Sequence, residues 1–310
     1  MSRSKPILVT GSHRSGSTWV GTMLSAAPGI GYIHEPFHLG HRPGICAAQF
    51  DHWFTYIVKE NEGPYLRPIE RTLQFRYDLA AEFHAIHSSK DVARAARDWS
   101  RFNALRLRRA RPLVKDPIAL LSAPWLADTF GMDVIVLIRH PAAFVSSILK
   151  LNWNHPFGDF TQQPLLIRDL LSPFSEELVE TQAGRGDAIH RAALLWKILH
   201  YVILRYRERY PNWLFRRHED LSIDPMLQFE QIYLALNLPF DGRVRRVIRN
   251  HTGEENPSDP RDASSTRRNS ARNVWNWQRR LSPEQTATIR LLVEDVSSQF
   301  YTDDDWETTH

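Results

Sequence analysis

A single cysteine, Cys46, stands among 310 residues, so no intrachain disulfide can form and no CxxC redox or zinc motif exists. Long apolar runs are also missing. The most apolar, Val134 to Ile138, has five residues, far below the roughly 18 needed to cross a bilayer. The opening M-S-R-S-K-P-I-L-V-T-G carries three consecutive apolar residues, too few for a secretory h-region. These features predict a reducing, cytoplasmic setting and no membrane span. Charge of one sign is scarce as well: 39 Lys and Arg against 35 Asp and Glu leave +4, without the basic stripe of a dedicated nucleic-acid binder.

With 42% hydrophobic and 24% charged residues, the chain has the balance of an ordinary globular protein. Its length admits one elaborated domain or two, and 1–310 reads as one. Arginine leads the cations, and its planar fork suits phosphate and sulfate, which points to an anionic ligand.

Short β-branched runs alternate with helical periods. Ile7 to Thr10 reads as a strand that stops at Gly11, after which Trp19, Val20, Met23 and Leu24 recur at helical spacing. Ile30 to Ile33, Leu113-Val114, Val134 to Ile138 and Trp213 to Phe215 read as further strands. Helices are predicted near 91–110, 119–129, from Ala142, over 189–206, 225–236 and 283–300. Such alternation argues for βαβ units: an α/β, P-loop-like fold with a mostly parallel sheet and helices on both faces. Residues 37–90, aromatic and broken by Pro43, Pro64 and Pro68, read as an irregular insertion. Residues 254–273 read as a polar loop, and 301–310, with Asp303 to Asp305, as a solvated tail. The stripe around Trp196 reads as core, and Arg101, Arg106, Arg108, Arg109 and Arg111 as a solvated helix face or an anionic-polysaccharide site.

Two motifs carry chemistry. Gly11-Ser12-His13-Arg14-Ser15-Gly16-Ser17-Thr18 has a G-x-x-x-x-G skeleton, with Ser-Thr where Lys-Ser/Thr would stand in a Walker A loop. It follows a predicted strand and opens a predicted helix, so loop N–H groups and the helix N-terminus can close around an anion. Arg14 brings a cation, and Ser17 and Thr18 bring hydroxyls that either cap the helix or bind the anion. Without the loop lysine and an acidic metal ligand, the magnesium apparatus of an ordinary nucleotidase is incomplete. The second motif is Arg139-His140-Pro141 at the carboxyl end of a strand, where open α/β sheets bind ligands, with Ser147 eight residues beyond Arg139.

Together these motifs resemble the sulfotransferase family that uses 3′-phosphoadenosine-5′-phosphosulfate, and are closer to its carbohydrate-type and bacterial members. In that family an R/K-S-G-S/T-T-W loop holds the 5′-phosphosulfate, matched here by Arg14, Ser15, Gly16, Ser17, Thr18 and Trp19. A strand-ending R-x-P with a later serine holds the 3′-phosphate, matched by Arg139, Pro141 and Ser147. Lys115-Asp116-Pro117, the Arg217 to Leu221 segment and the Trp277 to Ile289 stretch resemble weaker family features in the same order.

The resemblance implies a sulfotransferase with a small-molecule or carbohydrate acceptor and no metal. Arg14 is expected to stabilise the leaving oxygen, and Ser17 and Thr18 the other 5′-oxygens. Trp19 is expected to pack under the loop. Arg267, Arg268 and Ser270 fall where family members close over the 3′-phosphate. A histidine base used by many small-acceptor members is replaced by Asp116-Pro117. Carbohydrate-type members use a glutamate, and Glu35 after the second strand is the candidate, placed beside the first loop on the premise that consecutive strands adjoin. His34 and His38 are the alternatives, with Lys115 assisting at the sulfuryl oxygens or merely paired. A nucleotide or small-molecule kinase and a non-catalytic nucleotide-binding module are the competing functions.

Overall fold

In a computed structural model of the chain, residues 5–259 and 265–307 are described. The middle of the predicted polar loop, 260–264, and the end of the predicted tail, 308–310, lie outside the described residues. Five strands form one sheet: β1 (Ile7–Gly11), β2 (Ile30–His34), β3 (Arg111–Lys115), β4 (Asp133–Ile138) and β5 (Leu214–Arg217). Their order is β2-β3-β1-β4-β5, and each neighbouring pair is parallel.

The apolar runs Ile7 to Val9 in β1 and Val134 to Ile138 in β4 match burial on both faces. Leu8, Val134, Val136 and Ile138 enter the larger core with the Pro141–Lys150, Ala188–Arg209 and Pro283–Ser297 helices. Ile7, Val9, Ile135 and Leu137 point the other way, against the Ser17–Ser25, Pro225–Ala235 and Gly242–Thr252 helices. The protein is therefore α/β with helices on both faces of a parallel sheet. Trp196, wholly buried, donates its indole N–H to the Arg139 carbonyl at 2.8 Å, so this core helix pins a strand end.

Register aligns the carboxyl ends. His34 and Val9 lie opposite Lys115, Gly11 opposite Leu137 and Ile138 opposite Arg217. The segments that leave these ends, including the Ser12 to Gly16 loop, Glu35, Asp116, Arg139 and His218, emerge on the same side of the sheet.

Several expectations are corrected. β2 does not adjoin β1, because β3 lies between them. The insertion is not wholly irregular: Gly63–Leu73 and Leu79–Phe83 are helices. Pro64 occupies a first-turn position that needs no N–H, and the lost bond at Pro68 is outweighed by burial of Ile69, Thr72 and Leu73. The predicted 119–129 helix is a 3₁₀ turn, Ile118–Ser122, followed by Ala123–Phe130. The Gly242–Thr252 helix, capped by Asp241 Oδ1 on the Val244 N–H at 2.9 Å, is not among the predicted helices. Arg111 belongs to β3 and not to a helix face; its guanidinium donates to the Lys5 and Leu236 carbonyls, each at 2.6 Å, and to Asp133 at 2.5 Å. The expected solvated tail turns back onto the protein, with Asp305 paired to Arg217 and Trp306 packed on the His140 ring at 4.5 Å.

Candidate active site

β1 ends at Gly11 with φ +135°, where an added Cβ would fall 2.3 Å from the Leu137 carbonyl oxygen on β4. The close strand contact thus requires glycine. The loop then turns through Arg14 in the left-handed region, φ 65°, braced by Ser15 Oγ donating to the Ser12 carbonyl at 2.5 Å. Gly16, φ 88°, precedes the helix, and a Cβ there would lie 2.6 Å from His218 Nδ1. No described side chain caps this helix, so its first-turn N–H groups at Ser17, Thr18 and Trp19 have no helical acceptor and face the loop. Trp19 is buried and meets His218 and Phe229 edge-on, the packing role expected of it.

Cations gather over this loop. Arg14 Nε donates to Ser147 Oγ at 3.1 Å, and its guanidinium lies 5.7 Å from the exposed Trp153 ring. Arg139 donates to the Arg14 carbonyl, while its Nε has no acceptor among the described residues. Neither arginine forms an ion pair with a described residue. Burial first, then Arg268, lowers the Arg14 pKa. Burial, opposed by Glu219 and reinforced by Arg14 and Arg268, brings Arg139 down to about 10. Burial also lowers His13 and His218 to about 3, with Arg14 acting on the first and Arg139 and Arg268 on the second. Both imidazoles are neutral near pH 7. The nearby Glu219 is engaged behind the site, accepting from the His140 N–H and the Tyr301 hydroxyl at 3.0 Å each.

At the far end, Glu35 adopts φ 42° with its N–H on the Lys115 carbonyl at 2.9 Å. Lys115, wholly buried, donates to Glu35 Oε1; burial lowers its pKa against the pull of Glu35. Asp116, buried and pushed up to about 7 by that burial, accepts from the Phe37 and Ile118 N–H groups at 2.7 and 3.0 Å. It ties the start of the insertion to β3. His34 Nε2 stands 3.9 Å from Glu35 Oε2. His38 Nδ1 accepts from the Gly40 N–H at 2.9 Å, and the ring packs on Trp53.

One cleft of about 440 Å³ joins these parts, within the range of small-molecule sites. Arg14, Gly16, Ser17, Thr18 and Trp19 line it from the loop, Arg139 from β4, and His34 and Glu35 from β2. Arg268 and Ser270 line its flank, though the Ser270 hydroxyl is used on the Ser222 carbonyl at 2.8 Å. Ser15, Ser147 and Lys115 support the lining from behind. Arg267, expected with Arg268, is exposed and outside the lining, whereas Ser265, Thr266 and Arg268 line the cleft. Among the described residues, no three His, Cys, Asp or Glu side chains gather as a metal site, and no helix is long and apolar enough to cross a membrane. Sequence reasoning missed His13, Trp153, His218 and Thr266 in the lining. His13 and His218 stand inside segments the motifs single out, whereas Trp153 and Thr266 have no local signal.

The arrangement defines an α/β protein that presents a cation-rich, uncapped helix end at the carboxyl side of its sheet, opposite a carboxylate. The chain belongs to the sulfotransferase family, whose model matches residues 6–242. It is 35% identical over 202 residues to carbohydrate sulfotransferase 1 of Rattus norvegicus and of Homo sapiens, covering 61% of this chain and 42% of each relative. The chain thus spans less than half the length of these curated relatives. Among solved structures, the sulfotransferase domain of the Synechococcus PCC 7002 olefin synthase shares its fold, with a TM-score of 0.50 at 17% identity over 98% of this chain and 97% of that one.

Proposed function

We propose that the protein transfers a sulfuryl group from 3′-phosphoadenosine-5′-phosphosulfate to a hydroxyl or amine of an acceptor, with carbohydrate as the acceptor class. The observation that carries this reading is the meeting in one cleft of the Arg14 and Arg139 guanidiniums, neither with an ion-pair partner among the described residues, an uncapped helix N-terminus and Glu35. The carbohydrate class is supported by the curated relatives. The kinase alternative is not favoured by the family match.

The orphaned Arg139 Nε and the excess positive charge suit a ligand with two phosphate groups. Loop N–H groups with Ser17 and Thr18, in P-loop manner, would hold the 5′-phosphate oxygens, and Arg139 the 3′-phosphate, with Arg268 at the flank. The donor supplies the sulfuryl group. Arg14, fixed by Ser147, stands where charge develops on the leaving oxygen, which favours the transition state over the ground state. Glu35, oriented by Lys115, takes the acceptor proton as the new S–O bond forms and the bond to the 5′-phosphate breaks. Fixed cations and dipoles supply the electrostatics without a metal in this scheme.

Calorimetric titration with adenosine 3′,5′-bisphosphate and with ATP·Mg, followed by transfer of labelled sulfate to a saccharide panel, tests the reading. Binding of ATP·Mg with none of the bisphosphate would replace it with the kinase.

A further inference from the structure

This inference rests on the proposed sulfuryl transfer and narrows its acceptor. A second cleft, about 470 Å³, opens beside the first and shares His34 and Glu35 with it. Its wall includes the Ser89–Leu107 helix, where Arg97 and Arg101 stand one turn apart on the same face. Arg42 enters from the insertion.

Most of the charge here is already matched. Arg42 is paired with buried Glu82, Arg97 with Asp98 at 3.0 Å, and Glu35 with Lys115. Arg101 is different. It is exposed, forms no ion pair with any described residue, and has its guanidinium 5.6 Å from the Phe102 ring. His34, lowered first by burial and then by Lys115, also feels Arg101, which places that charge within range of the shared mouth. Two like charges at i and i+4 disfavour the helix unless each is matched, and only Arg97 is.

We infer that the acceptor carries an anionic group, a carboxylate or sulfate ester, which Arg101 receives while the reacting hydroxyl lies at Glu35. The planar fork of arginine fits either anion bidentately, and a neutral acceptor would leave it unused.

The test uses the full chain loaded with adenosine 3′,5′-bisphosphate and three versions of one disaccharide: neutral, glucuronate-bearing and 6-sulfated. Binding is followed by calorimetry, and transfer rates by labelled sulfate. The wild type is expected to bind at least one charged version roughly tenfold more tightly than the neutral one, the scale of a partly exposed charge-assisted contact. The better of the two identifies the anion. Arg101→Ala should collapse that ratio to near one with bisphosphate affinity unchanged, Arg101→Lys should retain part of it, and Arg106→Ala should retain all of it. Equal binding of the three saccharides, no binding of a charged one at millimolar concentration, or a ratio surviving in Arg101→Ala would overturn the inference. Failure of the wild type to bind the bisphosphate would instead overturn the donor reading beneath it.

Discussion

Replacing Arg139 by methionine should separate binding from stability. The guanidinium donates to the Arg14 carbonyl and leaves Nε without an acceptor among the described residues. Its pKa falls from 12.5 to about 10, which at 1.36 kcal/mol per unit corresponds to about 3 kcal/mol of net cost from enclosure first, partly offset by Glu219, and from repulsion by Arg14 and Arg268. Against this stands one hydrogen bond, of about 1 kcal/mol net. The ligand-free variant should therefore be at least as stable as the wild type, and up to about 2 kcal/mol more stable once the surrounding packing settles. Affinity for adenosine 3′,5′-bisphosphate should fall by about 1.5–3 kcal/mol, roughly 10- to 150-fold, as a charge-assisted contact is lost. Affinity for adenosine 5′-phosphate should fall less. Urea denaturation without ligand and calorimetry with both nucleotides measure the two sides. A variant that is destabilised yet binds the bisphosphate normally would refute the reasoning, because Arg139 would then be a structural cation.

Glu35→Gln should keep bisphosphate affinity while sulfuryl transfer drops roughly 10²–10⁴-fold; near-normal turnover would move the base to His34 or elsewhere. Gly16→Ala forces a Cβ toward His218 at φ 88° and should lose about 1–3 kcal/mol of stability together with bisphosphate binding, which thermal shift with and without ligand reports. Buried His140 and His200 are lowered to about 3 by burial. The stability that depends on their neutrality is intact above the unfolded value of 6.5 and is lost as pH falls from there toward 3. At pH 5 each should cost about 2 kcal/mol, so urea midpoints at pH 7 and pH 5 should differ clearly, and by less in His200→Phe.

Residues with a local signature are legible and those placed by tertiary geometry are not. Val134 to Ile138 announces a doubly buried strand, and Gly11 to Thr18 announces a strand-loop-helix turn, because both depend on neighbours in sequence. Strand order does not. Nothing in Ile30 to Ile33 says that β3 will intervene before β1, so Glu35 reaches the cleft by a route different from the one inferred. Helices with interior proline, such as Gly63–Leu73, hide because their stability comes from burying Ile69 and Leu73 in a core the local sequence does not reveal. Trp306 is masked by the three acidic residues before it, although its indole on His140, together with the Asp305–Arg217 pair, holds the segment on the protein. Arg267 and Arg268 read as a unit in sequence, yet only Arg268 lines the cleft while Arg267 is exposed, a difference set by the fold of the loop and not by the residue type.

The position of β2 at the sheet margin, with β3 as its neighbour, gives the molecule a seam. The residues assigned to the donor follow β1 and β4 or lie on the flank that carries Arg268, while Glu35 and residues 37–90 follow the outermost strand in sequence. Lys115 crosses the seam to Glu35, and Asp116 fastens the Phe37 N–H to it. Residues 37–90 are also tied to the rest of the fold, by the Trp53 N–H on Asp159, the Tyr56 N–H on Gln163 and the Ile57 N–H on Ser122, so a different acceptor side would have to satisfy those partners as well as the lysine and the aspartate while the phosphate cradle stays in place.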